Sequence, residues 1–156
     1  IEIFSSHGIA IKDPTPYVAS AFCKAGILTK TRPTVEAKED MHFGWEIAKR
    51  VADLDIGQTV VVKRKAVVAV EGMEGTDEAI RRAGHLAGEG IVVIKVSRSK
   101  QDPRIDLPAL GLNSVKSLIQ AGGRTLCFEA QKVPFFQKAE AVALADSHGV
   151  SIVVKS

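Results

Sequence analysis

Apolar and polar positions along this chain follow two periods, one near four residues and one of two. From Thr34 onward, Ala37, Met41, Gly44, Ala48 and Val51 recur at helical spacing opposite a highly charged face. That pattern predicts a long helix with Thr34 as its N-cap. Gln58–Lys63 and Ala66–Glu71 are β-branched runs around Arg64-Lys65, which predicts a hairpin. Thr76 caps a short helix that Gly84 ends, with Asp77 and Glu78 in the first turn, where they suit the helix dipole. Ile91–Ser97 reads as a buried strand, followed by a helix capped at Asn113 or Ser114. Val115, Leu118 and Ile119 face inward there, and Gly122-Gly123 stop it. Thr125–Glu129 is a strand. Pro134 opens a last helix with Phe135, Ala139 and Val142 inward, Gly149 closes it, and Val150–Val154 is the final strand.

Before Thr34 the pattern is weaker. Ile1–Phe4 and Ile9–Ile11 read as short edge strands, and Asp13-Pro14 as the start of a helix carrying Val18, Ala21, Phe22 and Ala25 that ends at Gly26. Strand and helix alternate through the later half, so the expected fold is α/β: a mixed sheet with helices packed on its faces and its last strands parallel. A linker-like segment near Arg32-Pro33 divides residues 1–33, read as an N-terminal segment and linker left from a preceding domain, from residues 34–156, read as a C-terminal α/β domain. The first residue is Ile1 rather than methionine, which fits a piece of a two-domain protein.

Composition narrows the function classes. The 156 residues suffice for one domain with a real core. A net charge of +3 and 5% aromatic residues argue against nucleic acid as a partner. Mild basicity also suits phosphorylated substrates or an anionic membrane face. Cys23 and Cys127 sit in apolar surroundings without CxxC spacing, so buried free thiols and a cytosolic compartment are expected. No apolar run approaches membrane-spanning length. The four histidines are scattered without zinc-like spacing, and no GxSxG elbow occurs.

Two segments carry candidate chemistry. In Glu71-Gly72-Met73-Glu74-Gly75-Thr76-Asp77 a strand ends, two glycines turn the chain and a helix begins, an arrangement able to receive an anion or to serve as a tight capped turn. In Gln101-Asp102-Pro103-Arg104-Ile105-Asp106-Leu107-Pro108 two acids flank an arginine in a loop behind the strand, preceded by the basic run Lys95–Lys100. Asp102 and Asp106 are of the type that ligates Mg²⁺, and Lys95, Arg98, Lys100 and Arg104 of the type that neutralises phosphate. The same charges also fit a solvated, self-paired loop. Glu129, at a strand end, is a third carboxylate.

Together with Asp55-Ile56-Gly57-Gln58-Thr59-Val60-Val61-Val62, and with Ala69-Val70 and Ala109-Leu110-Gly111 flanking them, these segments resemble the LpxI-type UDP-2,3-diacylglucosamine pyrophosphatase family. The resemblance runs from about Gly26 to the C-terminus and mainly concerns the family's C-terminal domain. It departs at Arg98-Ser99, where Lys-Pro is expected, and at Gln131, where Gly is expected. It implies hydrolysis of the substrate's pyrophosphate to lipid X (2,3-diacylglucosamine 1-phosphate) and UMP in lipid A biosynthesis, with Mg²⁺ or another divalent cation. Carried over by position, Asp102 and Asp106 are the implied catalytic and metal-ligating residues. Glu74, Gly75, Thr76, Asp77, Lys95, Gln101 and Arg104 are the implied substrate-binding set. The implied partners are a lipid-linked nucleotide, an N-terminal domain and transiently the inner-membrane surface from the cytoplasmic side; a homodimer stays open. The alternative is a non-catalytic nucleotide- or phosphate-binding module.

Overall fold

The structure, a computed structural model, describes residues 1–156. Its strands are β1 (Gly26–Ile27), β2 (Thr59–Lys63), β3 (Ala66–Val70), β4 (Val92–Lys95), β5 (Thr125–Glu129) and β6 (Ser151–Lys155). Its helices are α1 (Glu2–Ser6), α2 (Val35–Asp53), α3 (Thr76–Ala87), α4 (Leu112–Gln120) and α5 (Lys138–Ser147), with a 3₁₀ segment at Thr15–Ala21. The strands form one six-stranded sheet in the order β1-β6-β5-β4-β2-β3. β4, β5 and β6 are parallel, whereas β2, β3 and β1 join antiparallel to their neighbours. The fold is therefore a mixed open α/β sheet, as the strand–helix alternation predicts.

Both faces of the sheet are covered, which is why the central strands read as unbroken apolar runs rather than alternating ones. Val61, Val93, Leu126, Phe128 and Ile152 belong to the core beneath α3, α4 and α5, where Phe128 meets Phe135 with ring centroids 5.3 Å apart. Val60, Val62, Val92, Ile94 and Cys127 belong to the core beneath α2, with Met41, Trp45 and Ala48. Each buried large apolar side chain stabilises the fold by about 1.5–3 kcal/mol. α2 sits so close that a Cβ at Gly44 would lie 2.3 Å from Ile94 Cδ1 and 2.7 Å from Val62 Cγ2. No helix is long and apolar enough to cross a membrane.

The long helix and the hairpin form where the pattern places them. Thr34 caps α2, its hydroxyl accepting from Ala37 N at 3.1 Å. The hairpin turn at Arg64 and Lys65 has φ of 50° and 58°, the left-handed conformation of a tight two-residue turn. Neither residue is glycine; the buried Asp40 of α2 receives both amide N–H groups, at 2.9 and 2.6 Å.

Other elements differ from the sequence reading. Ile1–Phe4 is not a strand: Glu2–Ser6 forms a short helix with no buried residue, and Ile9–Ile11 has no regular structure. Neither segment meets a sheet edge, so local hydrogen bonds decide. The Asp13-Pro14 start leads only into the 3₁₀ segment, where Pro16 supplies no N–H and Val18 is non-helical. Gly26–Ile27 is not a helix end but a strand on β6. Gly75, at φ 83°, takes the N-cap of α3 in place of Thr76, and the helix runs past Gly84 to Ala87. Gly84 packs on Ala121 of the turn after α4, leaving only 2.7 Å for a Cβ, so its smallness serves packing rather than termination. Gly111 replaces Asn113 or Ser114 as the α4 cap. The last helix begins at Lys138, because Pro134–Phe136 is tied outside it by Phe135 N to Ala21 O at 2.9 Å and Phe136 N to Leu110 O at 2.8 Å. Ala141 and Ala145 are its fully buried residues and Val142 packs against the core half-buried, as read, whereas Ala139 is exposed.

Candidate functional site

Pairing brings the chemistry to one edge of the sheet. Thr59, the first residue of β2, stands opposite Lys95, the last of β4, and Val60 opposite Val70 near the end of β3. The segment before β2 and those after β3, β4 and β5 therefore share the carboxyl end of the parallel strands, where open α/β sheets bind ligands. A cleft of about 270 Å³ lies there, walled by Gln58, Glu71, Lys95, Arg98 and Asp106 together with Leu107. Its floor is tight. A Cβ at Gly57 would stand 2.0 Å from the Glu71 carbonyl oxygen, so only glycine lets these two backbone segments approach.

Lys95 is the centre of one half. It is 5% exposed, and its Nζ donates to Thr76 Oγ1 at 2.6 Å, Thr59 Oγ1 at 3.2 Å and Glu71 Oε2 at 3.4 Å. Thr76 in turn donates to Glu71 Oε1 at 2.8 Å. Burial pulls the Lys95 ammonium below its ordinary range, while Glu71 and then Asp106 and Asp77 oppose that shift. A buried lysine thus stands beside an open cleft, its three N–H groups shared among Thr76, Thr59 and Glu71.

Asp106 is the centre of the other half. Gln58 Nε2 reaches its Oδ2 at 2.6 Å, Gln101 Nε2 at 3.1 Å and Arg98 Nη2 at 3.2 Å. These bonds converge on a single carboxylate oxygen. Gln58 Oε1 and Asp77 Oδ1 are buried without a hydrogen-bond partner. Such groups are costly unless something completes them, and sites for ligand or water are where they are tolerated.

A model of the LpxI C-terminal domain matches residues 24–153. The chain belongs to the LpxI C-terminal domain family. A relative from Caulobacter vibrioides, named UDP-2,3-diacylglucosamine pyrophosphatase LpxI, is 28% identical over 162 residues. The alignment covers 98% of this chain and 58% of that relative, so the chain spans less than two thirds of the relative's length.

Within this LpxI C-terminal domain the candidate residues divide into groups. Lys95, Thr76, Gln101 and Asp106 join the cleft or its immediate hydrogen-bond network. Asp77 lies close enough to act on the Lys95 charge. Gly75 supplies the left-handed turn that starts α3. Glu74 is turned aside: Arg82 holds one of its oxygens and Gly72 N donates to the other at 2.9 Å. Asp102 and Arg104 are absent from the cleft walls. Arg104 binds both oxygens of Asp102, at 2.9 and 2.7 Å, and its backbone N–H adds a third bond at 3.0 Å. These bonds hold the Asp102 carboxyl down to about 2.

Asp55, Gln58 and Thr59 escape a residue-by-residue reading. They belong to a segment that reads simply as the approach to a strand, and only the antiparallel pairing of β2 with β4 carries them to the cleft. The available signal was the block Asp55–Val62 standing among the segments that carry the resemblance. For a divalent cation, no group of three or more His, Cys, Asp or Glu side chains forms a ready cage. Mg²⁺ commonly keeps its waters and takes one or two carboxylates plus substrate phosphate. Asp106 and Asp77, both close enough to act on the Lys95 charge and the latter with an unpartnered Oδ1, are the carboxylates of that type here.

Proposed function

We propose that the protein carrying this domain, at its natural length, hydrolyses the pyrophosphate bond of UDP-2,3-diacylglucosamine, giving lipid X and UMP in lipid A biosynthesis. The observation that carries this reading is a cleft at the strand ends in which Lys95 and Arg98 face Asp106, in a chain of the LpxI family. The activity printed in the name of the Caulobacter relative supports it.

In this reading Lys95 and Arg98 neutralise phosphoryl oxygens, the first as a buried point charge and the second through its planar fork. Thr76 and Glu71 keep the Lys95 ammonium aimed at the cleft. Asp106 directs an attacking water or holds a divalent cation, with Asp77 as its companion. Bound there, such a cation supplies Lewis acidity to the phosphoryl group. Asp102, occupied by Arg104, shapes the loop that presents Asp106. The acylated half of the substrate requires transient contact with the cytoplasmic face of the inner membrane.

Release of UMP from UDP-2,3-diacylglucosamine by the natural-length protein, with and without Mg²⁺, tests the proposal. Asp106→Ala should lower turnover by about 10²–10³-fold with folding intact, the scale of losing one positioned charge-stabilising group. Asp102→Ala should cost no more than about tenfold, because it acts through the loop. Wild-type turnover in Asp106→Ala rejects the assignment. UDP binding without any metal-dependent UMP release points instead to a non-catalytic binding module.

A further inference from the structure

The loop that carries Arg98 and Asp106 leaves the sheet at one residue, and what holds it there comes from the opposite face. The ladder ends with Val96 N donating to Gln58 O at 2.9 Å. At Ser97, 2% exposed, both backbone groups pass to side chains. Its N–H donates to Glu129 Oε2 at 2.8 Å, and its carbonyl accepts from Lys49 Nζ at 2.6 Å. Lys49 and Glu129 also pair with each other, at 3.2 and 3.1 Å to the two carboxylate oxygens, with only 23% and 16% of their side chains exposed. One turn along α2, Asp53 takes both Ser99 N and Ser99 Oγ at 2.7 Å.

From these points the bonds run straight to the site. Gln101 Oε1 accepts from Arg98 N at 3.3 Å, and Gln101 Nε2 donates to the Asp106 carbonyl at 2.6 Å as well as to its carboxylate. Arg98 spans Asp55 at 2.6 Å and Asp106 at 3.2 Å. None of Lys49, Asp53 and Glu129 lines the cleft. A surface helix thus spends two charged side chains, and β5 a third, on the backbone of a loop that the sheet no longer pairs.

We propose that Lys49, Asp53 and Glu129 form a clamp that positions Arg98 and Asp106 for phosphoryl chemistry. They are positioning residues, and the catalytic part of the inference rests on the pyrophosphatase reading. Glu129 fixes where the chain leaves β4, Lys49 fixes the plane of the next peptide, and Asp53 sets the turn that follows. Without them Asp106 keeps its local partners but loses its register with Lys95 across the cleft. A misplacement of about 1 Å costs on the order of 10²-fold in rate.

The test compares Glu129→Ala, Lys49→Met and Glu129→Gln in the natural-length protein by amide hydrogen exchange and by UMP release. In the first two variants the amides of residues 97–101 should exchange at least about tenfold faster while those of β5 and β6 stay protected, the signature of local rather than global opening. In the same variants kcat should fall about 10–100-fold with KM within about threefold. Glu129→Gln keeps an acceptor for Ser97 N and should recover most of both losses. Unchanged exchange at 97–101, exchange raised evenly over the whole sheet, or a rate loss no larger than the loss of folded protein overturns the clamp. Absence of UMP release from the wild type refutes the pyrophosphatase reading alone, and the exchange result still decides the clamp.

Discussion

A lysine at a strand end is ordinarily a surface residue; Lys95 is buried because two threonines and a glutamate replace the water it gives up. Burial lowers its pKa from 10.5, which makes protein stability depend on pH. The unfolded chain keeps this proton up to about pH 10.5, while the folded chain releases it at lower pH. The unfolded state therefore binds more protons in that interval, and stability rises with pH there. Urea denaturation of wild type and Lys95→Met over the pH interval below 10.5 should show a positive slope for the first that the second lacks; equal slopes reject the account. Elsewhere burial pushes the Cys127 thiol up to about 12 and raises Cys23 as well, as expected of free core thiols. The candidate acids separate at this scale too. Asp102 and Asp106 look alike in sequence, yet Arg104 occupies the first and the cleft receives the second.

Elements were legible where periodicity is long. α2 and the β2–β3 hairpin follow directly from it, and so do β4, β5 and β6 to within a few residues. The reading failed at ends and short pieces. Gly84 ends no helix, and Gly75 and Gly111 take the cap positions that Thr76 and Asn113 or Ser114 suggest, because a glycine's part, cap or close contact, depends on what lies against it. The hairpin turn shows the same dependence. Arg64-Lys65 has no intrinsic preference for positive φ, and the turn relies on Asp40 for both amides. Asp40→Ala should destabilise the protein by about 1.5–3 kcal/mol, the usual scale for hydrogen bonds to a charged group. Asp40→Asn, which keeps one acceptor oxygen, should cost visibly less. Equal urea midpoints for wild type and Asp40→Ala dismiss this role.

At the scale of the molecule the sheet is a device for gathering loops from distant parts of the chain, and residues from Ala21 onward are woven into it through β1 and the Ala21 and Cys23 carbonyls. The resemblance implies an N-terminal domain, and we propose that it supplies the other wall of the cleft. Residues 1–156 expressed alone should then unfold cooperatively yet release UMP at a small fraction of the natural-length rate, and full activity from this chain alone dismisses the two-domain proposal. The amino-acid order by itself determined the α/β class, the parallel run of the last strands, the buried thiols and the two charged segments, because apolar period and turn chemistry are local properties. Which carboxylate faces Lys95, how Gln58 enters the cleft, and why Lys49 and Glu129 meet beneath the loop were decided only by the tertiary structure. Gln58 meets Asp106 across 48 positions and Lys49 meets Glu129 across 80, through strand pairing and the opposite facing of neighbouring side chains, and no local pattern records them.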